Sequence, residues 1–79
     1  MLYLLTVHAE INLTDPIPHR AIRCLPGVKV LDVLHNTEGT EILIEHVLGQ
    51  THLLNHLAFR MDRAGWDYRV DVPTWTQVA

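Results

Sequence analysis

The stretch VKVLDVLHNTEGTEILIEHVL, residues 28–48, holds two β-rich runs on either side of one turn. Val28 to His35 is dense in β-branched and apolar residues, and Asn36-Thr37-Glu38-Gly39 is turn chemistry. Thr40 to Leu48 then resumes the apolar run, so a hairpin of two antiparallel strands is expected. Ile42, Leu43 and Ile44 are all apolar, which leaves the register of the later strand open on pattern alone.

Working upstream, Pro26-Gly27 closes whatever precedes the hairpin. Ile17, Ala21 and Leu25 recur every four residues, Asp15 is a capping residue, and Pro16 suits a first helical position. A short helix to about Leu25 is expected, with Ile17, Ala21 and Leu25 as its inner stripe. Before it, Leu2 to Ile11 alternates: Tyr3, Leu5, Val7, Ala9 and Ile11 share one face, and Leu4, Thr6, His8 and Glu10 the other. That pattern predicts a strand with one buried face.

Downstream, Gly49 opens a helix from about Gln50 to Ala64, with Leu53, Leu54, Leu57, Ala58, Met61 and Ala64 on one stripe. Gly65 ends it. Trp66, Tyr68, Val70 and Val72 alternate with Asp67, Arg69 and Asp71 as a last strand, until Pro73 breaks the pattern. The order β-α-β-β-α-β predicts an α+β domain of ferredoxin-like architecture: a four-stranded antiparallel sheet with two helices on one face. Residues 1–73 make this single domain, and residues 74–79 a loosely held tail that Trp75 could anchor.

At 79 residues and 48% hydrophobic content, one core is affordable and a second is not. The net charge of −3 argues against direct nucleic-acid binding, where a basic excess normally supplies the affinity. The only basic clusters are Arg20/Arg23 and Arg60/Arg63. Cys24 stands alone, so no internal disulfide forms and a reducing, cytoplasmic setting is expected. The apolar run at Met1–Val7 has no basic flank or small-residue cleavage site, and no stretch is long enough to span a membrane.

Two stretches resemble the heavy-metal-associated domains of copper chaperones and metal-pumping ATPases. They are Leu25-Pro26-Gly27-Val28, followed by Leu31 and Val33, and Ala64-Gly65-Trp66. The resemblance implies the same ferredoxin-like fold. Those domains carry a Cys-x-x-Cys pair in the first strand-to-helix loop, where this chain has Asn12-Leu13-Thr14-Asp15-Pro16-Ile17. The fold is therefore implied without the soft-metal function.

Six histidines are the compositional oddity. His52 and His56 are four apart on the second helix, a spacing that lets two imidazoles share a metal; Glu45 and His46 are the nearest further ligands. Leu53 follows His52, so the His-Glu-x-x-His chemistry of metalloproteases is absent. No metal or other cofactor is expected, with His52 and His56 as weak metal candidates. His8 and Glu10 would project from the open sheet face beside Glu41, Glu45 or His46 as an acid–base pair. Nothing nearby supplies a nucleophile or a substrate cradle, so no catalytic residue is assigned.

Phe59 falls almost opposite the apolar stripe of its helix, with His52, His56 and Arg63 as neighbours. Aromatic and arginine side chains are enriched at protein interfaces. Leu4, Val30 and Leu43 are expected to lie uncovered on the other sheet face among Thr6, His8, Lys29, Asp32, Arg69 and Asp71, a surface suited to a homodimer or another protein. The expected function is a non-enzymatic protein-binding module: an adaptor, regulator or inhibitor of a larger machine, of the size of those encoded by phages or mobile elements. Its interaction residues would be His52, His56, Phe59, Arg63, Leu4, His8 and Leu43. A histidine-based metal- or small-ligand-binding regulatory domain is the alternative.

Overall fold

The computed structural model describes residues 1–47 and 49–72. Expectations for Leu48 and for the tail, including Trp75, lie outside these residues. The elements run β1 (Leu2–Val7), α1 (Pro16–Pro18), a π-helical turn continuing it (His19–Arg23), β2 (Val28–Asn36), β3 (Gly39–His46), α2 (Gln50–Ala64) and β4 (Tyr68–Asp71). The four strands form one antiparallel sheet in the order β2-β3-β1-β4. This is the expected α+β class, a four-stranded antiparallel sheet with two helical segments, and it is compatible with a ferredoxin-like arrangement.

The register sorts the sheet into two faces. Across one, Val30–Ile44–Tyr3 and Val33–Ile42–Leu5–Val70 stand in rows, bounded by His35–Thr40–Val7–Tyr68. Tyr3, Leu5, Val7, Ile42 and Ile44 from this face join Ile22, Leu25, Leu53, Leu57 and Met61 in one buried cluster. Across the other face run Lys29–Glu45–Leu2, Asp32–Leu43–Leu4–Asp71 and Leu34–Glu41–Thr6–Arg69. Ile42 and Ile44 thus turn inward and Leu43 outward, settling the register that three consecutive apolar residues had left open.

A bulge between Val30 and Asp32 spends Leu31 on the irregularity. Val30 consequently pairs with Ile44 and packs against the core, which corrects its expected place on the open face. The hairpin closes at Asn36 and Gly39, where the Asn36 Oδ1 accepts hydrogen bonds from the backbone N–H groups of Glu38 at 2.9 Å and Gly39 at 3.2 Å. Gly39 has φ +142°, and a Cβ there would collide with the Val7 carbonyl oxygen. Only glycine lets the two strands approach so closely.

β1 ends at Val7, not Ile11, because its partners end there: Val7 faces Thr40 at the start of β3 and Tyr68 at the start of β4. Ile11 and Leu13 stay buried as a lid on the core. The Thr40 hydroxyl serves this turn, accepting from the Ile11 N–H at 3.1 Å and donating to the Ala9 carbonyl at 3.0 Å. β4 likewise begins at Tyr68, and the earlier Trp66 packs half-buried against the core.

The first helix differs from expectation in its register. It buries Pro18, Ala21, Ile22 and Leu25, the i, i+3, i+4, i+7 stripe, and leaves Ile17 65% exposed. A 17-21-25 stripe drifts around the helix, whereas the observed one faces the core squarely and gives it the fully buried Ile22. The wide turn at the end, with Cys24 N–H to His19 carbonyl at 3.1 Å, carries Leu25 into the core before Gly27.

α2 buries Leu53, Leu57 and Met61, and Ala58 faces out. It ends in a Schellman pair, Gly65 N–H to Asp62 carbonyl and Trp66 N–H to Met61 carbonyl, with Gly65 at φ +76°. Among the described residues no helix is long and apolar enough to cross a membrane.

Candidate functional site

The two helices meet along a groove of about 410 Å³ lined by Ile17, Arg20, Ala21, Phe59, Arg60, Arg63 and Ala64. Its origin is local. The one-residue offset of the first helix's buried stripe sends Ile17 outward. The tight 53-57-61 stripe of α2 sends Phe59 outward, where it is 61% exposed. Small residues, Ala21 and Ala64, line the seam, so the larger neighbours stand above it as walls.

The Arg63 guanidinium carbon lies 5.5 Å from the centre of the Phe59 ring, a cation–π contact that holds both side chains over the groove. Three of the six Lys and Arg residues in the chain, Arg20, Arg60 and Arg63, line this one groove. Among the described residues the ion pair is Arg69 Nε to Asp71 Oδ2 at 2.8 Å, on the other side of the molecule. The three groove arginines join no carboxylate there. His56 borders a smaller hollow with Asn55, Phe59 and Arg60, and His52 is exposed one turn before it.

A second cleft, about 490 Å³, shares Ile17 and Ala64 with the first. Pro16, Pro18 and Trp66 make its lining mainly apolar, and Glu10 and Asp15 line it too. No family model, curated protein or solved structure gives a significant match to this chain. What the surfaces can do is therefore read from their own chemistry.

The outer sheet face is different in sign. Leu4 and Leu43 are cross-strand partners, both half-buried, with the 59%-exposed Leu34 beside them in a shallow depression that Asp32 and Glu41 border. Asp32, Glu41, Glu45 and Asp71 share this face with Lys29 and Arg69, and Arg69 is already tied to Asp71. Thr6 lies in the same rows yet is fully buried, and its Oγ1 has no hydrogen-bond partner among the described residues.

The expected acid–base pair does not assemble as a strand-borne array. His8 and Glu10 lie beyond the end of β1, both exposed, and Glu41 and Glu45 oppose Thr6 and Leu2. His46 turns to the core face opposite Val28 and is fully buried, so it faces away from the surface where it was expected. Among the described residues no group of three or more His, Cys, Asp or Glu side chains converges as a metal site, so His52 and His56 stand as a pair.

Of the interaction residues read from sequence, the fold brings Phe59 and Arg63 to the inter-helix groove, His56 to the smaller hollow on α2, and Leu4 and Leu43 to the outer sheet face. Ile17, Arg20 and Arg60 were missed as members of one site. The two arginine clusters were visible in the sequence, but their juxtaposition is a product of helix packing.

Proposed function

We propose that this protein is a non-enzymatic protein-binding module, an adaptor, regulator or inhibitor, that engages its partner through the inter-helix groove. The carrying observation is the exposed Phe59 under Arg63, with Ile17 exposed on the opposite wall. A bare aromatic beside a guanidinium on a rigid helix is the kind of anchor that dominates interface energetics. The surface hollows are open grooves, which suits a macromolecular ligand better than an enclosed substrate.

The strand order supports reading the domain as ferredoxin-like, in line with its likeness to heavy-metal-associated domains without their cysteines. The lone, exposed Cys24 supports a reducing compartment such as the cytoplasm. A homodimer through Leu4 and Leu43 has less in its favour: on that face the carboxylates Asp32, Glu41, Glu45 and Asp71 outnumber the cations Lys29 and Arg69, and both copies would present the same excess.

The test is capture of partners from the native host by the wild type and by Phe59→Ala and Ile17→Ala. Both variants should keep the wild-type Tm, since both side chains are largely exposed, and lose the captured protein. Retention of the same partner by both variants sinks the assignment of this groove.

A further inference from the structure

We infer that the groove's occupant is an amphipathic segment of a partner protein with carboxylates at one end, an apolar middle and a cationic residue at the other end. This rests on the protein-binding reading above and adds the partner's chemistry and its direction.

The occupant's chemistry follows from electrostatic complementarity with the two adjoining clefts. At one end Arg20, Arg60 and Arg63 carry permanent positive charge and meet no carboxylate among the described residues. Their neighbour Phe59 and the opposing Ile17 make that end apolar between the charges. The groove shares Ile17 and Ala64 with the cleft of Ile11, Pro16, Pro18 and Trp66, whose lining is mainly apolar. Glu10 and Asp15 line that cleft and not the first, and they pair with no cation among the described residues. The path is thus basic, then apolar, then acidic.

A ligand that lies along it gains at both ends only if its own charges run the opposite way. Guanidinium–carboxylate pairing is directional and frequently bidentate, so three arginines favour two or more carboxylates over them. A nucleic acid fits less well. Its phosphates are negative along their whole length and would meet Glu10 and Asp15, and the apolar middle has no counterpart in a phosphate backbone. A second copy of this chain offers acidic apolar surface on its sheet face and at its own Glu10 and Asp15. Neither is a protruding segment, which is what the seam between two helices accepts.

The experiment selects binders from a displayed random-peptide library on the folded protein and remeasures a synthetic consensus peptide by titration. Enriched peptides should carry Asp or Glu, then Leu, Phe or Trp, then Lys or Arg. Affinity should fall on the order of 10-fold for the Arg60→Glu/Arg63→Glu double variant and fall with added salt. A peptide with its Glu residues changed to Lys should recover binding to that variant, which a merely structural role for the arginines would not produce. Arg60→Gln/Arg63→Gln serves if the reversal variant fails to fold.

The outcomes separate the two claims. Peptides lost on Phe59→Ala but indifferent to the arginine changes leave the protein-binding reading standing and end this one. An absence of peptides that depend on Phe59 or Ile17 ends both. Arginine-dependent binding of duplex DNA or heparin in place of peptide would overturn the inference in favour of a polyanion. Concentration-dependent self-association abolished by Arg60→Glu would overturn it in favour of a second copy.

Discussion

Ile17 and Ile22 are the same residue type on the same short helical segment, and the fold treats them oppositely. Ile17 is 65% exposed and Ile22 is fully buried. Truncating each to Ala changes helix propensity equally, so that term cancels in the difference between the two variants. What remains is burial. Ile22→Ala removes buried methyl and methylene groups and leaves a cavity in the buried cluster that Ile22 shares with Leu25, Leu53 and Leu57, which costs ~2–5 kcal/mol. Ile17→Ala removes mostly solvated surface and should fall within ~0.5 kcal/mol of wild type.

For a chain of 79 residues the whole stability is ~4–12 kcal/mol, so the first variant loses a large fraction of it. At ~4–8 °C per kcal/mol for a domain of this size, Ile22→Ala lowers the Tm by at least ~8 °C and Ile17→Ala by no more than ~4 °C. Urea unfolding followed by far-ultraviolet circular dichroism measures both, with equal slopes showing that the same surface is exposed in each. Should Ile22→Ala fail to fold, Ile22→Val, at ~0.5–1.5 kcal/mol, gives the same comparison on a smaller scale. Costs that agree within ~0.5 kcal/mol for the two Ala variants would refute the register of the first helix and, with it, the wall that Ile17 gives the groove.

Gly39→Ala should cost at least ~2 kcal/mol, because φ +142° and the Val7 carbonyl both exclude a Cβ, whereas Gly65→Ala, with open space around it, should cost ~1 kcal/mol. Equal losses in urea unfolding would mean that Gly39 is held by its dihedral alone. The two buried threonines should respond in opposite ways to Val. Thr40→Val strands the Ile11 N–H and the Ala9 carbonyl and costs ~1–3 kcal/mol, and Thr6→Val removes a hydroxyl with no partner among the described residues and is neutral or stabilising. A Thr6→Val variant as damaged as Thr40→Val would contradict this. Zinc should leave the Tm unchanged, since His52 and His56 lack a third converging ligand among the described residues; a zinc-dependent rise removed by His56→Ala would show otherwise.

The hairpin was legible because Asn36 to Gly39 is turn chemistry between two apolar runs, and the limits of α2 because Gly49 and Gly65 frame an amphipathic stripe. The stripe's outward neighbour Phe59 followed from the same geometry. The register of β3 was not legible, since Ile42, Leu43 and Ile44 satisfy either face and only pairing with β1 chooses between them. Nor was the inner stripe of the first helix. Both 17-21-25 and 18-21-22-25 are helical spacings, and the larger total burial offered by Ile22 decides in favour of the second. Val30 and His46 were misplaced for a related reason: a bulge at Leu31 and the pairing of Val28 with His46 fix which way they point, and neither leaves a mark in the local pattern.

The groove was the least legible of all, because it is made by residues far apart in the chain. Net charge is a sum, and a sum of −3 conceals a basic seam and an acidic sheet face on opposite sides of one small domain. A partner responds to the local field at the surface it approaches, screened within about 8 Å at physiological salt, and not to the total. Net charge alone therefore does not decide against nucleic acid. The carboxylates of Glu10 and Asp15 weigh against it, since negative charge in the cleft adjoining the arginine-lined groove repels a uniformly negative chain and suits a peptide whose charges change sign along its length.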